Sequence, residues 1–69
     1  MDDAAPIALT REEAILLQLV AEGYATQKVA RSLSLSESTL RRRLTTVQRK
    51  LGANSRINAV YLATKKGYI

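Results

Sequence analysis

The chain has 69 residues, a formal net charge of +5, no cysteine and no histidine. Disulfides, thiolate metal sites, imidazole acid–base chemistry and most zinc sites are thereby excluded, and no metal or cofactor is expected. At this length one small domain is expected, near the lower limit for a self-sufficient core.

Apolar runs such as Ala14 to Leu17 fall far below the roughly 18 residues of a membrane span. The opening MDDAAP lacks the basic and apolar regions of a secretion signal, so a cytoplasmic location is expected. Charge is segregated along the chain. Residues 1–25 hold five acids (Asp2, Asp3, Glu12, Glu13, Glu22) and one base, Arg11, whereas residues 26–56 hold eight bases and one acid, Glu37. Such asymmetry in a small domain points to a polyanionic partner; the plain alternative is generic solubilising charge.

Residues 1–8 read as a flexible lead-in to a domain over 9–69. Thr10 followed by Glu13 has capping-box spacing, which predicts a helix from about Arg11 to Glu22. Ile15, Leu16, Leu19 and Val20 form its apolar repeat, and Gly23 suits its left-handed stop. Thr26 reads as the cap of a short helix, about Gln27 to Leu33, with Val29, Ala30 and Leu33 as its stripe. After a turn at Ser34 to Ser36, Ser36 caps a third helix through Leu51, stopped by Gly52. Asn54 or Ser55 caps a fourth, about Arg56 to Lys66, ended by Gly67. No strand candidate remains, and the fold class is all-α.

The third helix carries Arg41, Arg42 and Arg43 in succession. Residues step about 100° apart on a helix, so the three cannot share a face. Leu40, Leu44, Val47 and Leu51 gather in a stripe about 60° wide, the expected buried side. Ser38, Arg42, Thr45 and Arg49 lie opposite it, with Arg41 on one flank and Thr39, Arg43 and Lys50 on the other. This distribution suits a helix lying in the major groove of double-stranded DNA, outer side chains at base edges and flanks at phosphates.

Base contacts are assigned to Ser38, Arg41, Arg42 and Thr45, with Arg42 placed for two hydrogen bonds to a guanine. Backbone contacts are assigned to Thr39, Arg43, Arg49 and Lys50, the plain alternative being solvated side chains. A short helix, a tight turn and a longer basic helix make a helix-turn-helix. Thr26, Gln27 and Lys28 sit where the first of that pair would abut a phosphate. In the last helix Ala59 and Ala63 lie opposite Ile57, Tyr61 and Thr64, so a second apolar face is available to a partner. The alternative there is that Ile57 and Tyr61 complete the core of a monomer.

The segments LTREE (Leu9 to Glu13), AEGY (Ala21 to Tyr24), VARSLSLSESTLRRRL (Val29 to Leu44), the RKLGANSR run with Asn58 to Val60, and KGYI (Lys66 to Ile69) together resemble the LuxR/GerE-type helix-turn-helix domain. The resemblance covers residues 9–69. It implies a bacterial transcription regulator that binds inverted-repeat DNA as a homodimer, with the third helix in the major groove. It places base contacts at Arg41, Arg42 and Thr45, a backbone contact at Thr39, and the dimer contact on the fourth helix. The chain departs from the family pattern at Ser34, usually glycine, and at Arg43, usually histidine. It departs again at Ile15, usually glutamate, at Gln27, often lysine, and at Ile57, usually a threonine cap. A family member of this length is either free-standing or the excised C-terminal part of a regulator with a sensor domain.

Two other functions compete with DNA binding. One is a module of the same fold that contacts RNA polymerase or another regulator through its acidic first helix, with weak DNA affinity of its own. An enzyme is not expected, because the serine and threonine hydroxyls have no histidine to activate them and the lysines read as exposed.

Overall fold

Three of the four helices among the described residues begin on a hydroxyl. In the computed structural model, which describes residues 9–69, α1 (Arg11–Ala21) follows Thr10 and α2 (Thr26–Ser32) follows Ala25. α3 (Glu37–Leu51) follows Ser36, and α4 (Arg56–Lys65) follows Ser55. The lead-in expected over residues 1–8 lies outside the described residues.

The capping box at α1 is complete: the Glu13 amide donates to Thr10 Oγ1 at 3.1 Å, and the Thr10 amide donates to Glu13 Oε1 at 2.9 Å. Ser36 Oγ accepts from the Thr39 amide at 3.2 Å, and Ser55 Oγ from the Asn58 amide at 3.0 Å. Each such cap contributes about 0.5–2 kcal/mol.

At α2 the structure corrects the sequence reading. Thr26 is the first residue of the helix and not its cap; Ala25 holds the cap position and has no side chain to accept a hydrogen bond. The Thr26 hydroxyl turns instead towards α3, where it donates to Glu37 Oε2 at 3.1 Å.

All four helices end in the same reversal, in which the chain folds back through a six-residue hydrogen-bonded loop. The closing bonds run from Tyr24 to Leu19 (3.4 Å), Leu35 to Ala30 (2.8 Å), Ala53 to Gln48 (2.8 Å) and Tyr68 to Ala63 (2.8 Å). The left-handed corner of this loop is Gly23, Gly52 or Gly67 in three cases and Ser34, at φ 58°, in the turn between α2 and α3. Among the described residues Ser34 is the one non-glycine with positive φ, at a cost of about 1 kcal/mol. Packing of the next residue, Leu35, against the core offsets that cost.

α1 and α3 each pack against the other three helices, while α2 and α4 lie apart on either side. The core joins Leu16 and Leu17 of α1, Val29 and Ala30 of α2, Leu40, Leu44, Val47 and Leu51 of α3, and Ala59 and Ala63 of α4. Each fully buried leucine contributes about 1.5–3 kcal/mol of hydrophobic stabilisation. The alanines of α2 and α4 keep those helices close to the central pair.

On α1 the inward face is rotated from the one expected. Leu16 and Leu17 are fully buried, whereas Ile15 is 45% exposed. The true stripe follows positions 13, 16, 17 and 20, with the part-buried carboxylate of Glu13 at its edge. Glu13 also serves the capping box, and its charge masks the start of that repeat in the sequence.

Candidate nucleic-acid interface

The seam of α3 faces inward: Leu40 and Val47 have no exposed surface, and Leu44 and Leu51 are also buried. Ser38, Arg41, Arg42, Thr45 and Arg49 are all exposed on the remaining surface. Seven residues separate Arg42 from Arg49, two turns of helix, so the two lie about 10 Å apart along one ridge.

The three successive arginines do point three ways. Arg41 donates from Nη2 to Glu37 Oε2 at 2.9 Å and stays 67% exposed. The Arg42 guanidinium projects outward and, like that of Arg49, has no hydrogen-bond or acidic side-chain partner among the described residues. Arg43 pairs with Glu12 of α1. Lys50, on the same flank as Arg43, places its Nζ between the two oxygens of Glu13, at 2.8 and 2.9 Å.

Burial of Glu13 opposes its charge. The hydrogen bonds from Lys50 and from the Thr10 amide, with the Lys50 charge behind them, outweigh that burial and hold its carboxyl below the ordinary carboxylate value. The flank of α3 assigned to phosphates is therefore occupied in part by carboxylates of α1. The sequence signal was present in the segregation of acids and bases, but nothing in linear spacing indicates that residues 31 and 37 positions apart meet.

The hydroxyls are locally engaged. Thr45 Oγ1 donates to the Arg41 carbonyl at 3.0 Å, which leaves its lone pairs outward. Thr39 Oγ1 accepts from Ser36 Oγ at 2.8 Å, and Ser38 Oγ lies 3.3 Å from Ser36 Oγ. At the start of α2, Gln27 and Lys28 are exposed, and among the described residues no side chain caps the first amides. Lys28 Nζ lies 4.9 Å from the centre of the Tyr24 ring.

On α4, Ala59 and Ala63 are fully buried while Ile57 is 82% and Tyr61 58% exposed. Ile57 and Tyr61 thus do not complete the core. Thr64, also exposed, donates to the Val60 carbonyl at 2.8 Å. Among the described residues no helix is long and apolar enough to cross a membrane, and no cluster of acids is arranged to hold a metal ion.

Comparison with known proteins agrees with this arrangement. The family model of bacterial regulatory proteins of the luxR family matches residues 8–63. The transcriptional regulatory protein YdfI of Bacillus subtilis is 44% identical over 61 residues, 88% of this chain and 29% of YdfI. DegU of Brevibacillus brevis is 33% identical over 61 residues, which is 26% of its length. The chain therefore spans less than a third of either relative. The solved structure of the transcription factor GerE superposes with a TM-score of 0.83 at 30% identity, covering 87% of this chain and 90% of that one. The chain belongs to the luxR family of bacterial regulatory proteins, and its four helices form a LuxR-type helix-turn-helix DNA-binding domain.

Proposed function

We propose that the chain regulates transcription by sequence-specific binding to double-stranded DNA, with α3 in the major groove and two copies on an inverted repeat. One observation carries the reading: α3 buries its leucine–valine seam and leaves Arg42 and Arg49 outward, with no acid to neutralise them among the described residues. In this reading Arg42 reads a guanine through two hydrogen bonds, with Arg41, Thr45 and Ser38 as further base contacts. Arg49 and Thr39 meet phosphates beside the groove, and Gln27, Lys28 and the backbone amide of Thr26 do so at the start of α2.

Arg43 and Lys50 enter the backbone contacts with their charge already met by Glu12 and Glu13, so each gains less from phosphate than an unpaired cation does. The exposed Ile57 and Tyr61, with Thr64, form the contact between copies. Contact with RNA polymerase through an acidic α1 has less support, because Glu12 and Glu13 are already paired to α3.

Selection of bound duplexes from a random library tests the proposal. The expected product is a palindromic consensus whose half-sites lie about one helical turn, or a multiple of it, apart. Recovery without any enriched sequence contradicts base reading, and a single unrepeated half-site contradicts the dimer.

A further inference from the structure

We infer that Glu37 is a positioning residue for sequence reading: it restrains the Arg41 guanidinium and ties it to the start of α2 through Thr26. The inference rests on the proposed role of α3 in the major groove. Glu37 is the one acid among residues 26–56, on the part of the molecule where negative charge opposes a polyanionic partner. Its position in the first turn of α3 favours the helix dipole, which accounts for a carboxylate there. The dipole does not account for what the carboxylate holds. A single oxygen, Oε2, accepts from Thr26 Oγ1 at 3.1 Å and from Arg41 Nη2 at 2.9 Å, joining both helices of the helix-turn-helix.

With Arg41 67% exposed, this pair adds little to stability. Its consequence is conformational. Arginine loses much rotamer freedom when it docks on a base, and a guanidinium already restrained loses less. One such side chain changes affinity by about two- to tenfold. Most of the five N–H donors of Arg41 stay free for a base edge while Glu37 holds one. Because Thr26 opens α2, the same carboxylate also fixes the offset between the start of α2 and the base-reading side chain.

The test compares the wild type with Arg41→Ala, Glu37→Gln and Thr26→Val by duplex selection and by anisotropy on matched and scrambled duplexes, with melting curves to follow folding. Arg41→Ala is expected to abolish preference at one base pair per half-site. Glu37→Gln should weaken preference at that same base pair by about two- to tenfold, while affinity for scrambled duplex holds or rises. Thr26→Val keeps the pair with Arg41 but frees it from α2, and should show the same loss at smaller size.

Unchanged preference in Glu37→Gln, or equal loss on both duplexes, overturns the inference. Should Glu37→Gln fail to fold, Thr26→Val decides, and unchanged preference there overturns it. Loss of preference in Arg41→Ala without loss in Glu37→Gln removes this inference alone. A wild type without base preference removes the proposed function and this inference together.

Discussion

Arg43 and Lys50 on one flank of α3, and Arg42 and Arg49 on its outer side, belong to the same helix in opposite electrostatic situations. The first two face α1, and its carboxylates neutralise them; Glu13 does so from a side chain only 14% exposed. The second two face away, and no acid meets them among the described residues. Net charge therefore overstates what α3 offers a polyanion. Cations that stabilise the fold are largely spent, and those that add nothing to the fold are the ones available for a ligand. One helix thus serves packing on one side and recognition on the other, and substitutions on the two sides should have separable effects.

The largest expected effect breaks the inner side. Leu40→Ala should cost about 2–5 kcal/mol of stability, read by urea denaturation, because a fully buried leucine leaves a cavity. On the outer side, Arg42→Ala should leave stability within about 0.5 kcal/mol but cost about 1–3 kcal/mol on the matched duplex alone. Equal losses on matched and scrambled DNA would remove the base contact from the scheme.

The flank gives a smaller and differently placed effect. Lys50→Met should lower stability by about 1–2 kcal/mol, since it strips the partner from a part-buried carboxylate. Arg49→Ala should instead flatten the salt dependence of DNA binding by about one unit. Lys50→Met should flatten it less, because Glu13 already neutralises that ammonium. If both changed the slope alike, the division of α3 into spent and available cations would fail.

Acidity sharpens the same contrast. With its folded pKa below the ordinary 4.5, Glu13 takes up a proton at lower pH in the folded chain than in the unfolded one. The contribution of the Glu13 pair is then complete above the ordinary value and is lost as pH falls through the lower folded value. Urea midpoints measured across that range should fall with pH in the wild type and fall less in Lys50→Met. The smallest expected effect lies on neither side of α3: Ser34→Gly should raise stability by about 0.5–1 kcal/mol by relieving the left-handed serine, without altering base preference.

The backbone plan was readable from the sequence because it rests on local chemistry. Hydroxyl caps at Thr10, Ser36 and Ser55 and glycines at 23, 52 and 67 bracket α1, α3 and α4, and the α3 seam follows from spacing alone. What escaped the sequence depends on contacts between helices. Thr26 has the right chemistry for a cap, but Glu37 captures its hydroxyl across the turn. Ile15 fits a helical repeat as well as Leu17 does, and only the packing of α1 into the shared core selects Leu17. The pairing of Glu12 and Glu13 with Arg43 and Lys50 likewise needs α1 laid beside α3 before it can be seen.

The outward side of α3 as the DNA-reading surface is tested most directly by an NMR titration with a selected duplex, following backbone amides and arginine side chains. Shifts concentrated at Ser38, Arg41, Arg42, Thr45 and Arg49, with small changes along the buried seam and on the far side of α1, are the predicted result. Shifts confined to α1 or α4 while those five residues stay unmoved would contradict it.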